Sequence, residues 1–225
     1  MTAILTRARS LTAPIATQPV ATLAVEHITR EATPAGESAL GDVIADAQLW
    51  ATTGPAAGGA QIALMNPGGL RADLPPSGPN PSRAVSYGDI FTVQPFGNSL
   101  VIMTLTGAQL QAVIEQQFDN PAPGRQRILQ ISAGFTYTYD LKKAAGDRVS
   151  DMQLHGKAVD PTAPYRIVVN SFLAEGGDRF TVLRNGTDRL GGALDLEAFR
   201  NYLRTMEQAG TPVGPGPRNR INMVP

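Results

Sequence analysis

The sequence predicts an α+β fold, a single domain with a mixed β-sheet flanked by helices. Three observations lead there. Short apolar runs of strand length recur along the chain, amphipathic stretches with helical spacing stand between some of them, and one segment alternates with a period of two before a turn and a second extended run. Their order is irregular, so a repeating βαβ unit is not expected, and no internal repeat of solenoid length is present. At 225 residues the chain is long enough to bury a substantial core within one domain.

Residues 1–20 read as a linker or lead-in segment, and the domain is expected over 21–225. ATLAVEHIT, 21–29, alternates loosely and reads as a strand. In GESALGDVIADAQLW, Leu40, Val43, Ile44 and Ala47 recur at helical spacing behind Ser38, a cap that accepts a hydrogen bond from a free backbone N–H. QIALMN is a short apolar strand that stops at NPGGLR. SLVIMTLT is a second strand, and Thr106 then caps a helix whose Leu110, Val113, Ile114 and Phe118 form one stripe. GFTYTYD alternates aromatic with threonine, AAGDR supplies a turn, and RVSDMQLH returns as the hairpin partner. PYRIVVN is another buried strand. Asp195 is expected to cap LEAFRNYLRTMEQ, lined on one side by Leu196, Phe199, Leu203 and Met206, before the proline-rich TPVGPGPRNRINMVP.

Composition excludes several functions. Hydrophobic residues at 42% and charged residues at 17% describe an ordinary globular protein. Nineteen basic and nineteen acidic residues cancel, so no field draws in nucleic acid or an anionic membrane, and no nucleic-acid partner is expected. Only Lys142, Lys143 and Lys157 are lysines, an excess of arginine that a biased genome accounts for without function. With no cysteine there is no disulfide framework, thiolate metal site or cysteine nucleophile. The first twenty residues carry Arg7 and Arg9, but threonine, proline and glutamine break up the stretch after them, so a signal peptide is not expected there. No apolar run approaches the ~20 residues of a membrane span.

The chemistry-bearing residues are sparse. His27 and His155 are the only histidines and neither sits in a ligand cluster, so both read as surface or hydrogen-bonded structural residues. No G-x-S-x-G elbow is present, and the pairs Gly58-Gly59, Gly68-Gly69 and Gly191-Gly192 lack the spacing of a P-loop or dinucleotide fingerprint. What remains is a set of loops that follow strand ends. In NPGGLR, Gly68 and Gly69 fit either a tight turn with a surface arginine or a backbone brought against a ligand, with Arg71 as an anion clip. Phe96 in QPFGNSL sits in a turn and fits either a core position or a stacking face for a planar ring. Phe172, followed by Gly176, Gly177 and Asp178, has the same build. Two loop aromatics, an arginine and an aspartate are an inventory suited to a nucleoside.

GESALGDVIADA, MNPGGLRADL, VSYGDIFTVQPFGNSL, LQISAGFTYTYD and VVNSFLAEGGDRF, in this order and spacing, resemble the C-terminal domain of the 5'-nucleotidase family, which includes UDP-sugar hydrolases; the resemblance runs from about Ala21 to the end. It implies a 5'-nucleotidase C-terminal domain-like fold that binds a nucleoside or nucleotide and sets specificity. It also implies a separate N-terminal metallophosphoesterase domain holding two divalent metal ions. In this chain no catalytic residue, no metal ligand and no cofactor is then expected, and it should not cleave phosphate esters alone. Carried over by position, Phe96 and Phe172 resemble the aromatics that clamp the base, and Asp178 the carboxylate that receives the ribose hydroxyls. Asn66, Gly68, Gly69 and Arg71 match an Asn-Gly-Gly-Gly-x-Arg loop that meets base and ribose or phosphate. Arg30 resembles a phosphate-side arginine, and Gly134 a place where backbone nears the base. Two positions depart from the pattern. Pro67 replaces a glycine and removes a backbone donor. Arg179 stands where glycine is usual, either reaching a phosphate or, the favoured reading, lying on the surface. A periplasmic, cell-surface or extracellular location follows from the resemblance. The alternative is a free-standing ligand-binding or protein-interaction module without a catalytic partner.

Overall fold

The computed structural model describes residue 7 and residues 12–225; of the lead-in segment expected at 1–20, residues 1–6 and 8–11 lie outside the described residues. Three sheets and their helices build the α+β architecture. At its centre are five strands: β2 (Ile62–Met65), β4 (Ser99–Thr106), β5 (Gln130–Ile131), β9 (Pro164–Asn170) and β10 (Thr187–Leu194). They are ordered β10-β4-β9-β2-β5. Only β2 and β9 run parallel, with Ile62 opposite Ile167; the other pairings are antiparallel, which makes the sheet mixed as expected.

Across β2, β4 and β9 both faces of this sheet are largely buried, which explains why these strands read as continuous apolar runs; β10, at the edge, is exposed. Ala63, Met65, Leu100, Ile102 and Val168 face one core. Ile62, Leu64, Met103, Leu105, Ile167 and Val169 alternate to the other. The first core is closed by α1 (Ala39–Thr52), α2 (Tyr87–Val93) and α5 (Asp195–Gln208). The second is closed by α3 (Gly107–Glu115) and by a four-stranded sheet of β6 (Phe135–Tyr139), β7 (Val149–Leu154), β8 (Lys157–Ala158) and β11 (Ile221–Met223), ordered β11-β6-β7-β8. A small pair, β1 (Pro19–Thr22) and β3 (Ala84–Ser86), completes the β-structure.

Local chemistry sets the helix starts. Ser38 Oγ accepts from Gly41 N at the start of α1. Thr106 Oγ1 accepts from Gln109 N while Gln109 Oε1 accepts from Thr106 N, a reciprocal capping box that opens α3. Ser86 and Asp89 form the same box at α2. Three expectations change. The strand expected over 21–29 is confined to β1, because beyond Thr22 the backbone takes successive partners: Leu23 N donates to Arg83, Ala24 N to Val213, and Ile28 bridges Leu74. Asp195 is the first residue of α5 and not its cap; its carboxylate accepts from Leu196 N and Asn98 Nδ2, and burial pushes its pKa up. Phe118 is buried as expected but lies beyond the end of α3.

The proline-rich end is tied down by charge. Arg220 makes a bidentate pair with Asp46, at 2.8 and 2.7 Å, and donates to the Ile131 carbonyl. Glu37, fully buried, accepts from the backbone N–H groups of Arg220 and Ile221, and β11 then adds in parallel to β6. Asp42 lies in the same cluster against the Glu37 carboxyl, with no N–H donor on either of its oxygens and the Arg220 Nε 3.9 Å away. Burial, only partly offset by Arg220 and reinforced by the charge of Glu37, pushes its pKa up to about 8.

The folded chain therefore holds a proton at Asp42 that the unfolded chain releases near pH 4, so stability should fall as pH rises from about 4 to about 8. In urea unfolding at pH 5 and pH 8, Asp42→Asn should lose less stability across that window than the parent chain. Equal losses would show that Asp42 is ionised throughout.

Candidate functional site

The topology brings four separate segments to one end of the central sheet. Because β2 and β9 are parallel neighbours, the loops that follow Met65 and Asn170 emerge side by side. Since β4 is antiparallel to β9, with Leu100 opposite Asn170, the turn before β4 arrives at the same end. β5 is antiparallel to β2, with Met65 opposite Gln130, so the residues before Gln130 arrive there too. Such a sheet end, outside the carboxyl ends of parallel strands, is a common place for a ligand crevice. A cleft of about 530 Å³ lies there.

Its floor is a chain of polar side chains. Asn170 ends β9 and caps α4 (Ser171–Ala174), its Oδ1 accepting from Leu173 N at 2.9 Å. Asn170 Nδ2 donates to Asn66 Oδ1 at 2.9 Å, and Asn66 Nδ2 donates to Asp178 Oδ2 at 3.0 Å. The other Asp178 oxygen pairs with Arg127 Nη1. Asn66 and Asn170 are both buried, so this line of bonds links the ends of β2 and β9 to the carboxylate. Asp178 has φ +54° and Arg179 φ +67°, two consecutive non-glycine residues in the left-handed region.

The walls are aromatic and cationic. Phe96 and Phe172 both line the cleft and are 57% and 46% exposed, unusual for rings that the adjacent core could have absorbed. The Arg71 guanidinium carbon lies over the Phe96 ring, 5.8 Å from its centre, while Nη1 donates to the Gly68 carbonyl. The Phe172 ring lies against Gly177, where an added Cβ would stand 2.5 Å from a ring carbon. Pro67 opens a single 3₁₀ turn, Pro67–Gly69, at a position whose N–H has no partner within the turn, so the turn loses nothing by the substitution.

Of the residues singled out in the sequence, the structure brings together Asn66, Gly68, Gly69, Arg71, Phe96, Phe172 and Asp178 around the cleft. It does not bring Arg30 or Gly134 there. Arg30 lines a neighbouring cavity of about 440 Å³ on the far side of Pro67, where Nη1 donates to the Leu70 carbonyl. Gly134, at φ +89°, is packed against the His155 ring. Arg179 is exposed and its guanidinium donates to the Pro121 carbonyl, away from the cleft. Sequence reasoning missed Arg127, Asn98 and Asn120. Arg127 and Asn98 line the cleft, and Asn120 Nδ2 donates to the Asp178 carbonyl at 2.7 Å. The nearness of Arg127 to LQIS, which begins the short strand opposite β2, was the available signal.

Among the described residues no three His, Cys, Asp or Glu side chains are grouped as metal ligands, and no helix is long and apolar enough to cross a membrane.

Residues 16–185 match the family model described as 5'-nucleotidase, C-terminal domain. The trifunctional nucleotide phosphoesterase protein YfkN of Bacillus subtilis is 32% identical over 203 residues, 87% of this chain and 13% of its own length. The cell wall protein Lmo0130 of Listeria monocytogenes is 32% identical over 177 residues, 77% of this chain and 22% of its own. Among solved structures, a 5'-nucleotidase precursor from Thermus thermophilus superposes with a TM-score of 0.80 at 35% identity, covering 98% of this chain and 42% of that one. The chain thus spans less than half the length of each of these relatives.

The buried amide chain predicts a stability effect. Asn66→Ala removes the acceptor for Asn170 and a donor to Asp178, and should lower unfolding free energy by about 1–3 kcal/mol in urea titration. A loss within about 0.5 kcal/mol would mean that the amides are re-solvated through the cleft.

Proposed function

The chain belongs to the 5'-nucleotidase C-terminal domain family, and from that premise we propose that its cleft binds a nucleoside or nucleotide for a metal-dependent phosphoric ester hydrolase. The base stacks between Phe96 and Phe172, and the ribose hydroxyls donate to Asp178. One observation carries this reading: two half-exposed rings stand at the same cleft as a carboxylate fixed from below. Stacked bases need flat apolar faces that stay solvent-accessible until occupied. Vicinal hydroxyls need an acceptor with a set direction, and each carboxylate oxygen has lone-pair capacity beyond the single protein donor it already meets. Arg71, held over Phe96, adds a cation beside the base slot for a ribose or phosphate oxygen.

In this reading the domain selects and positions the substrate. Ester hydrolysis would then fall to a separate metallophosphoesterase domain, whose two divalent ions would supply Lewis-acid chemistry. A periplasmic, cell-surface or extracellular setting is part of the proposal, supported by the Listeria relative's description as a cell wall protein.

Calorimetric titration of this chain with adenosine, AMP and a UDP-sugar tests it. Phe96→Ala and Phe172→Ala should each weaken binding by about 1–3 kcal/mol, the size of a lost base–aromatic stack. Affinity unchanged in the double variant would remove the stacking slot.

A further inference from the structure

The site's carboxylate is held by a segment that contributes no ring or loop to the stacking slot. Residues 116–127 follow α3 and return to β5 as a compact hairpin: Phe118 bridges Gln126, Asn120 N donates to Arg125 O, and Arg127 N donates to Gln117 O. From this hairpin a row of bonds reaches the chain at 178–182. Arg127 Nη1 pairs with Asp178 Oδ1, and Asn120 Nδ2 donates to the Asp178 carbonyl at 2.7 Å. Gln116 donates from Nε2 to Thr181 Oγ1 at 2.8 Å and accepts from Val182 N at 3.1 Å. Pro121 O accepts from Arg179.

Asp178 needs this grip. Its left-handed backbone is followed by that of Arg179, and while aspartate enters this region more readily than most residues, for arginine the cost is roughly 1–2 kcal/mol. One carboxylate oxygen and the carbonyl of Asp178 are each caught by a different hairpin residue, while Asn66 holds the other oxygen, so the hairpin fixes the Arg127 side of the carboxylate together with the backbone that carries it.

Resting on the nucleoside reading above, we infer that Arg127 and Asn120 are positioning residues which aim Asp178 at the ribose, so that the 116–127 hairpin sets discrimination for ribose hydroxyls without contributing to base stacking. Arg127 also lines the cleft, with about a third of its side chain exposed, so its effect is read at the sugar end of the site.

The test compares adenosine with 2',3'-dideoxyadenosine by calorimetry on this chain. The parent chain should prefer adenosine by about tenfold or more, the value of a hydroxyl bonded to a charged acceptor. If it shows no preference, the nucleoside reading itself fails. If it does, Arg127→Met should bring the two affinities within about threefold while dideoxyadenosine binding stays at the parent level, and Arg127→Lys should recover part of the preference. Asn120→Ser, which removes the Nδ2 bonds to the Asp178 and Gln116 carbonyls and leaves the carboxylate's own donors in place, should lower the same ratio by about threefold and serves where Arg127→Met does not fold. A parent-like ratio in either folded variant overturns the inference. Equal loss of both ligands also overturns it, because the hairpin would then be shaping the stacking slot.

Discussion

The parallel pairing of β2 with β9 is the constraint on which the site depends. It is a short contact, Ile62 to Ile167 and Ala63 to Val168, placed in the middle of an otherwise antiparallel sheet. Two parallel neighbours must send their following loops out at the same end, while their antiparallel outer neighbours, β4 and β5, must begin there. Four stretches far apart in sequence therefore converge without any of them being long. Reversing one strand would scatter them to opposite ends. Burial on both sheet faces holds this arrangement, since every residue of β2 contributes to one core or the other.

The cleft carries strain that its surroundings offset. Of the two adjacent left-handed residues, Asp178 and Arg179, the arginine would be unfavourable in an isolated loop by roughly 1–2 kcal/mol and the aspartate by less. Hydrogen bonds to a charged group contribute about 1.5–3 kcal/mol, and the Asp178 carboxylate has donors from both Asn66 and Arg127. The terms are of similar size, so polar contacts offset the backbone cost, while the buried Leu173 and Phe180 anchor the loop to the core on either side. That fits a loop whose side chains face a solvent-filled cleft. It also explains why the asparagines at 66 and 170 are buried where apolar residues would pack: their bonds are directional, and a hydrocarbon could not pass a fixed position from a strand end to a carboxylate.

Much of the fold was legible because its signals are local. Ser38 and Thr106 cap helices by bonds to residues three ahead, and the runs IALM, SLVIMTLT and PYRIVVN announce strands by their own apolar length. The site's loops were legible for a similar reason, since glycines and aromatics at strand ends are visible in the text. Non-local pairing was not. β10, TDRLGGAL, has exposed residues throughout and two glycines, and it is a strand only because β4 pairs with it. β11 lies in a proline-rich stretch and depends on Arg220 meeting Asp46 and Glu37 from 174 and 183 residues away. Arg127 and Asn120 belong to this second kind: their meaning comes from Asp178, 51 and 58 residues further on, and the only local sign is that Arg127 stands just before LQIS.

The loop from Asn66 to Arg71 is fixed on more than one side, which bears on how tightly a ligand is held. Toward the cleft Asn66 is locked by Asn170, and on the opposite side Arg30 Nη1 donates to the Leu70 carbonyl at 3.1 Å from the second cavity. At its far end Arg71 N donates to Val93 O at 2.9 Å, which anchors the loop to the end of α2. Arg30 thus acts on the same loop as the cleft residues while lying outside the cleft. A loop held in this way loses little freedom when a ligand arrives, and ordering costs of about 0.5–1.5 kcal/mol per immobilised side chain are met on folding and not on binding. The rings of Phe96 and Phe172 differ from these polar contacts in being half-exposed, so under the proposed reading they supply the open faces of the cleft while the polar contacts are set by the fold.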